Sequence, residues 1–167
     1  MDLVTIEAEA LVTALGDALR TRGWRMASAE SCTGGMIAAA CTSVAGSSDW
    51  FERGFVTYSN EAKVELLGVD AALIAAQGAV SEAVVRAMAQ GALARAPVQL
   101  AVAVTGIAGP GGAVAGKPVG TVWLAVADAQ RGTVHTCCDV WPGSRTQVRV
   151  ATVMAALRAL LDAARGH

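Results

Sequence analysis

Residues 98–106 read Val98-Gln99-Leu100-Ala101-Val102-Ala103-Val104-Thr105-Gly106, VQLAVAVTG, with no charge and one polar side chain before the closing Thr-Gly. A half-exposed strand alternates apolar and polar residues; this run is apolar at odd and even positions alike, as a strand covered on both faces is. Covering both faces takes helices on either side, and the flanking sequence supplies them. Upstream, GAVSEAVVRAMAQGALARA (78–96) predicts a helix of about fifteen residues capped by Ser81. Downstream lies a glycine-rich loop, IAGPGGAVAGKP (107–118), long enough to suggest function rather than mere connection. Two more strands follow, VGTVWLAVAD (119–128) and GTVHTCCDVW (132–141), joined by AQRG as a hairpin, and a helix from about 145 to 164 closes the chain.

The first half alternates in the same way. Helical spacing covers about 3–22, WRMASAE (24–30) is a short β-compatible run, and a helix is expected from about Thr33 to Cys41. RGFVTYS (53–59) reads as the second strand and runs into the helical NEAKVELLGV (60–69), with a further short helix near 70–76. Helices between strands, an apolar centre and a terminal hairpin together predict a three-layer α/β/α sandwich with a mixed central sheet. The 167 residues suit one domain spanning 1–167.

Composition narrows the function. The net charge is −1 and there is no basic run, so no nucleic-acid footprint is present and a small-molecule partner is expected. No stretch approaches a membrane span, and the N-terminus carries acidic residues where a signal peptide needs positive charge, which predicts a cytoplasmic protein without a membrane partner. Cys32, Cys41, Cys137 and Cys138 form no CxxC pair and are expected as buried free thiols. With only His135 and His167 beside them, no metal site is expected. Alanine-rich first and last helices would suit packing between subunits, and a homo-oligomer is expected.

Of thirteen basic residues only Lys63 and Lys117 are lysine, so each lysine invites a reason. In AESCTGG (29–35), Ser31 sits where a strand gives way to a helix. It reads as a helix N-cap or as a nucleophile, with the N–H groups of Cys32, Thr33, Gly34 and Gly35 as oxyanion donors. A serine nucleophile needs a base, and histidine is nearly excluded: His135 lies in a strand and His167 is terminal. Lys63 falls in the first turn of a helix capped by Ser59 or Asn60, where the helix dipole disfavours a cation; it reads as a solvated surface lysine or as a neutral base whose pKa the dipole and burial depress. Tyr58, the single tyrosine, reads as a half-buried strand aromatic or as a site residue. Thr105 and Gly106 end the central strand, where backbone can approach a ligand. Ser144 and Gln147 form a capping box that puts Arg145 at the first helical position, exposed or binding an anion. Lys117 reads as an anion contact or a loop lysine.

Six ordered blocks, AESCTGG (29–35), GSSDWFERGFVTYSNEAKVELLGV (46–69), GAVSE (78–82), AVTGIAGPGG (103–112), KPVGTVWLA (117–125) and GSR (143–145), resemble the successive motifs of the CinA C-terminal domain family over roughly residues 5–162. The resemblance implies a three-layer domain that deamidates nicotinamide mononucleotide to nicotinate mononucleotide and ammonia, without metal or other cofactor. It implies Ser31 as nucleophile and Lys63 as its base, with Tyr58, Thr105 and Arg145 lining the site. Ala45 departs from the proline expected in the turn before Gly46, and AVAG (113–116) lies in a variable stretch. The further domain of full-length CinA proteins, with its activity, is not expected. A second reading is a nucleotide-binding or competence-related interaction module that keeps the pocket without turnover.

Overall fold

The computed structural model describes residues 6–167; the first few residues of the expected first helix lie outside them. Six helices and five strands follow in the order α1 (Ile6–Arg22), β1 (Met26–Glu30), α2 (Met36–Cys41), β2 (Phe51–Val56), α3 (Asn60–Leu67), α4 (Ala71–Gln77), α5 (Glu82–Arg95), β3 (Leu100–Gly106), β4 (Thr121–Asp128), β5 (Thr133–Val140) and α6 (Arg145–Arg165). The sheet runs β2-β1-β3-β4-β5. Its first three strands are parallel, and β4 and β5 are antiparallel additions. The α/β sandwich with a mixed sheet is therefore as expected, and VQLAVAVTG is its central strand.

Alternation along β3 and β4 separates two unlike faces. Leu100, Val102, Val104, Leu124 and Val126 face α1, α2 and α6, in a core that also buries Trp50 and Leu157. Ala101, Ala103, Ala125 and Ala127 face the other way, toward Val84, Val85, Met88 and Ala89 of α5. Leucine and valine fill space under three helices, each worth about 1.5–3 kcal/mol when buried. Alanines on the opposite face let a single helix lie close across β1, β3, β4 and β5. Among the described residues no helix is long and apolar enough to cross a membrane.

Three sequence expectations need correction. The helix expected from Thr33 starts only at Met36; its N-cap is Gly35, at φ 100°, with no side-chain cap. Ser31 caps nothing, because the chain needs the 31–35 turn to climb from the sheet before a helix can begin. The second strand stops at Val56, so Tyr58 lies beyond it and is 60% exposed rather than half-buried. Cys32 and Cys41 are buried thiols, but Cys137 and Cys138 are exposed, on opposite faces of β5, the edge strand of the sheet. Burial pushes the Cys32 thiol up to about 11 and raises that of Cys41 as well. Desolvation and Asp139 raise Cys137 and Cys138 too, but they are exposed, so a thiol reagent applied to native protein is expected to modify these two first and the other two only after denaturation. Four fast thiols would contradict this packing.

Candidate active site

The connection from β1 to β2 and the connection from β2 to β3 pass to opposite faces of the sheet. The α2 connection covers one face and α3–α5 the other, so β2 and β3 flank β1 and a crevice opens at the carboxyl ends of the parallel strands, where open α/β sheets bind ligands. A cavity of about 210 Å³ occupies it, lined by Ser31, Cys32, Tyr58, Asn60, Lys63, Ala79, Val80, Thr105, Gly106, Ala108 and Arg145. Larger hollows on the molecule, such as that beside Ala10 and Asp17 on α1, bring together no comparable set of reactive groups.

Lys63 reaches this cavity from an unexpected depth. Ser59 is the N-cap of α3, its Oγ accepting the Ala62 N–H. Ser59 is thus the cap of the two expected, and Lys63 is the fourth helical residue. Its side chain folds back past the helix start and is only 1% exposed. Nζ lies 3.0 Å from Ser31 Oγ, 3.0 Å from the Thr57 carbonyl and 3.3 Å from that of Tyr58. Burial pushes its pKa below the ordinary lysine value, while Cys32 and Glu61 pull the other way. The surroundings suit both protonation states. An ammonium donates to two carbonyls and to Oγ; a neutral amine keeps the two carbonyls and offers its lone pair to the Ser31 hydroxyl, which only rotates.

Ser31 is placed by the sheet and by two charged side chains. Its N–H donates to the Val104 carbonyl at 3.1 Å, continuing the β1–β3 ladder one residue beyond the strand. Glu30, fully buried, accepts hydrogen bonds at one carboxylate from the Thr33 hydroxyl (2.7 Å), the Ile37 and Ala38 N–H groups (2.8 and 3.0 Å) and Ser28 Oγ (3.3 Å). It supplies the N-terminal capping of α2 that Gly35 lacks. Arg149 of α6 donates to the carbonyls of Cys32 and Thr33, each at 3.1 Å. The sequence did not single out Glu30 and left the role of Arg149 open. The signal for Glu30 was available, as a lone carboxylate closing a short apolar run; nothing local gives Arg149 its role, its partner Cys32 being 117 residues away.

The remaining residues divide. Thr105, 1% exposed, lines the cavity, but its hydroxyl donates to the Ala79 carbonyl at 3.0 Å and so ties β3 to the segment before α5. Gly106 lies opposite Val122; because the next residue, Ile107, gives its N–H to the Thr121 carbonyl, ladder alternation turns the Gly106 N–H away from β4 and toward the end of β1. A Cβ there would stand 2.6 Å from Val122 Cγ2, which requires glycine. Arg145 spans the mouth, donating to the Gly109 carbonyl at 2.9 Å and to the Tyr58 hydroxyl oxygen at 3.0 Å. Ser31, Tyr58, Lys63, Thr105, Gly106 and Arg145 therefore meet in one cavity. Thr33, Gly34 and Gly35 do not line it: the Thr33 hydroxyl serves Glu30, and the Gly34 N–H donates to the Ser31 carbonyl at 3.1 Å. Lys117 is also outside, donating to the Gln77 carbonyl at 3.0 Å. Asn60, Ala79 and Val80 are lining residues that the sequence did not single out.

Comparison with known proteins adds an independent line. The model of the CinA C-terminal domain matches residues 8–164. The chain is 52% identical over 147 residues to the nicotinamide-nucleotide amidohydrolase PncC of Enterobacter agglomerans, covering 88% of this chain and 89% of that protein. It is 49% identical to a CinA-like protein of Syntrophobacter fumaroxidans, of which it spans only 35%. Among solved structures, the competence/damage inducible protein CihA of Agrobacterium tumefaciens superposes with a TM-score of 0.93 at 44% identity, covering 99% of both chains.

Proposed function

The chain belongs to the CinA C-terminal domain family, and from that membership and its crevice we propose that it is a nicotinamide-nucleotide amidohydrolase, converting nicotinamide mononucleotide and water to nicotinate mononucleotide and ammonia through a Ser31–Lys63 dyad. The observation that carries the mechanism is the buried Nζ of Lys63 at 3.0 Å from Ser31 Oγ. Neutral Lys63 takes the Ser31 proton as Oγ attacks the carboxamide carbon. Cys32 and Gly106 both line the cavity, and their N–H groups are assigned to the oxygen on which negative charge develops. Lysinium then returns its proton to the departing nitrogen, ammonia leaves, and the substrate remains as an ester on Ser31. Water, deprotonated by Lys63, attacks the ester and frees the carboxylate and the serine. Every proton passes through Nζ, and no metal or cofactor enters the scheme.

The cavity's size supports a placement for the rest of the substrate. At about 210 Å³ it is smaller than pockets that enclose a whole ligand, typically about 300–1,000 Å³. It takes the pyridine carboxamide and leaves the phosphate at the mouth, where Arg145 and the Tyr58 hydroxyl stand. Arg145 has three N–H donors beyond the two already used. A charged hydrogen bond is worth about 1.5–3 kcal/mol, so Arg145→Ala is expected to raise KM for nicotinamide mononucleotide roughly ten- to hundredfold and to change kcat little.

Release of ammonia by the purified protein, from nicotinamide mononucleotide and from nicotinamide riboside, tests both points. The mononucleotide is expected to be strongly preferred by wild type and no longer preferred by Arg145→Ala. Absence of ammonia from the wild type sinks the amidohydrolase reading; an unchanged preference in the variant removes Arg145 from phosphate binding alone.

A further inference from the structure

Arg149 touches neither the cavity nor Arg145's partners, yet it holds the backbone that carries the nucleophile. It sits one helical turn after Arg145 on α6, and its Nε and Nη2 reach the carbonyls of two successive peptides, Cys32 and Thr33. A carbonyl and the following N–H share one rigid plane and point oppositely. Fixing these two carbonyls toward α6 therefore fixes the Cys32–Thr33 and Thr33–Gly34 planes, and with the second the direction of the Gly34 N–H, which returns to the Ser31 carbonyl and so holds the Ser31–Cys32 plane that carries the Cys32 N–H. The turn has no side-chain cap at Gly35 and two glycines at positive φ, Gly34 and Gly35, so its backbone has more freedom than its task allows. The Arg149 guanidinium also packs on Gly34, where a Cβ would lie 3.5 Å from Nη2. Glu30 anchors the α2 side of the same turn; Arg149 is what anchors its outer side.

We propose that Arg149 is a positioning residue for the reaction, clamping the 31–35 turn through the Cys32 and Thr33 carbonyls so that Ser31 Oγ and the Cys32 amide keep their places opposite Lys63. The proposal rests on the amidohydrolase reading above. A planar guanidinium spans two carbonyls at once, whereas an ammonium is a single point of donation, so lysine cannot replace it. Because a displacement on the order of 1 Å in a reacting group can cost about a hundredfold, loosening the turn acts on turnover and leaves substrate affinity alone.

Steady-state kinetics of wild type, Arg149→Ala and Arg149→Lys on nicotinamide mononucleotide, with thermal unfolding of each, test the clamp. Both variants are expected to fold, to lose kcat by about tenfold to a hundredfold and to keep KM within about threefold. Methylguanidinium at millimolar concentration should restore part of the kcat of Arg149→Ala, and sodium chloride at equal ionic strength should not. Should Arg149→Ala fail to fold, Arg149→Lys, which keeps the charge and one contact, carries the test by its kcat. Full kcat in a folded variant, a rise in KM alone, or complete recovery by lysine would overturn the proposal. A wild type that releases no ammonia defeats the amidohydrolase reading instead, so the two failures are distinguishable.

Discussion

Ser31→Ala is expected to lower kcat on nicotinamide mononucleotide by at least about 10³-fold, the scale on which a nucleophile is lost, while leaving the molecule folded. The second half of that expectation follows from geometry. The Ser31 hydroxyl has Lys63 Nζ as its partner, and Nζ retains the Thr57, Tyr58 and Ser59 carbonyls, the last at 3.5 Å, when Oγ is removed. The peptide of Ser31 keeps its bond to Val104. No buried donor is orphaned, so the midpoint of thermal unfolding should move by no more than a few degrees, equivalent to roughly 1 kcal/mol. Circular dichroism melting beside ammonia release checks both halves. A variant that retained activity would remove the nucleophile and leave the substrate assignment standing.

The second large effect is at Lys63. Lys63→Met removes the base without changing the volume much and is expected to cost about as much turnover as loss of the serine, because the two act as a unit. In the wild type the base must be neutral, so kcat/KM is low in acid, rises as pH passes through the folded-state pKa of Lys63 and then levels. Burial lowers that pKa, which puts the midpoint of the rise below the ordinary lysine value of about 10.4. Stability follows the same sign. Between the lowered folded pKa and the ordinary unfolded one, the unfolded chain binds more protons, so stability increases with pH across that window. Lys63→Met should lack this slope in urea-unfolding measurements repeated over pH. A flat activity profile between about pH 5 and 9, or a slope that survives in Lys63→Met, would remove Lys63 as the base.

How far the site was legible from sequence depends on which contacts are local. VQLAVAVTG announced a doubly covered strand because burial on both faces leaves no room for polar alternation, and it is the central strand. Ser144 with Gln147, and Ser81, are short-range signals, and each caps as expected. Ser31 misled because a serine before a helix resembles a cap; the actual cap, Gly35, depends on a turn whose bonds run to Glu30 and Arg149. Tyr58 was read into β2 because Val56, Thr57 and Tyr58 all favour strands, but β1 ends at Glu30, whose carbonyl takes the Thr57 N–H as the last bond of the ladder. Lys63 gave itself away by its rarity and its place near a helix start, though the burial that depresses its pKa is tertiary and no spacing encodes it. Cys137 and Cys138 looked buried because β5 reads like an interior strand, and only its place at the sheet edge exposes them.

Most direct of all is the fate of the acyl group. Wild-type protein turning over nicotinamide mononucleotide in the presence of hydroxylamine should divide its product between nicotinate mononucleotide and the corresponding hydroxamate, and acid-quenched protein should carry the substrate acyl group as an ester on the peptide containing Ser31. Ammonia released without any hydroxamate, or an ester on a residue other than Ser31, would contradict the account.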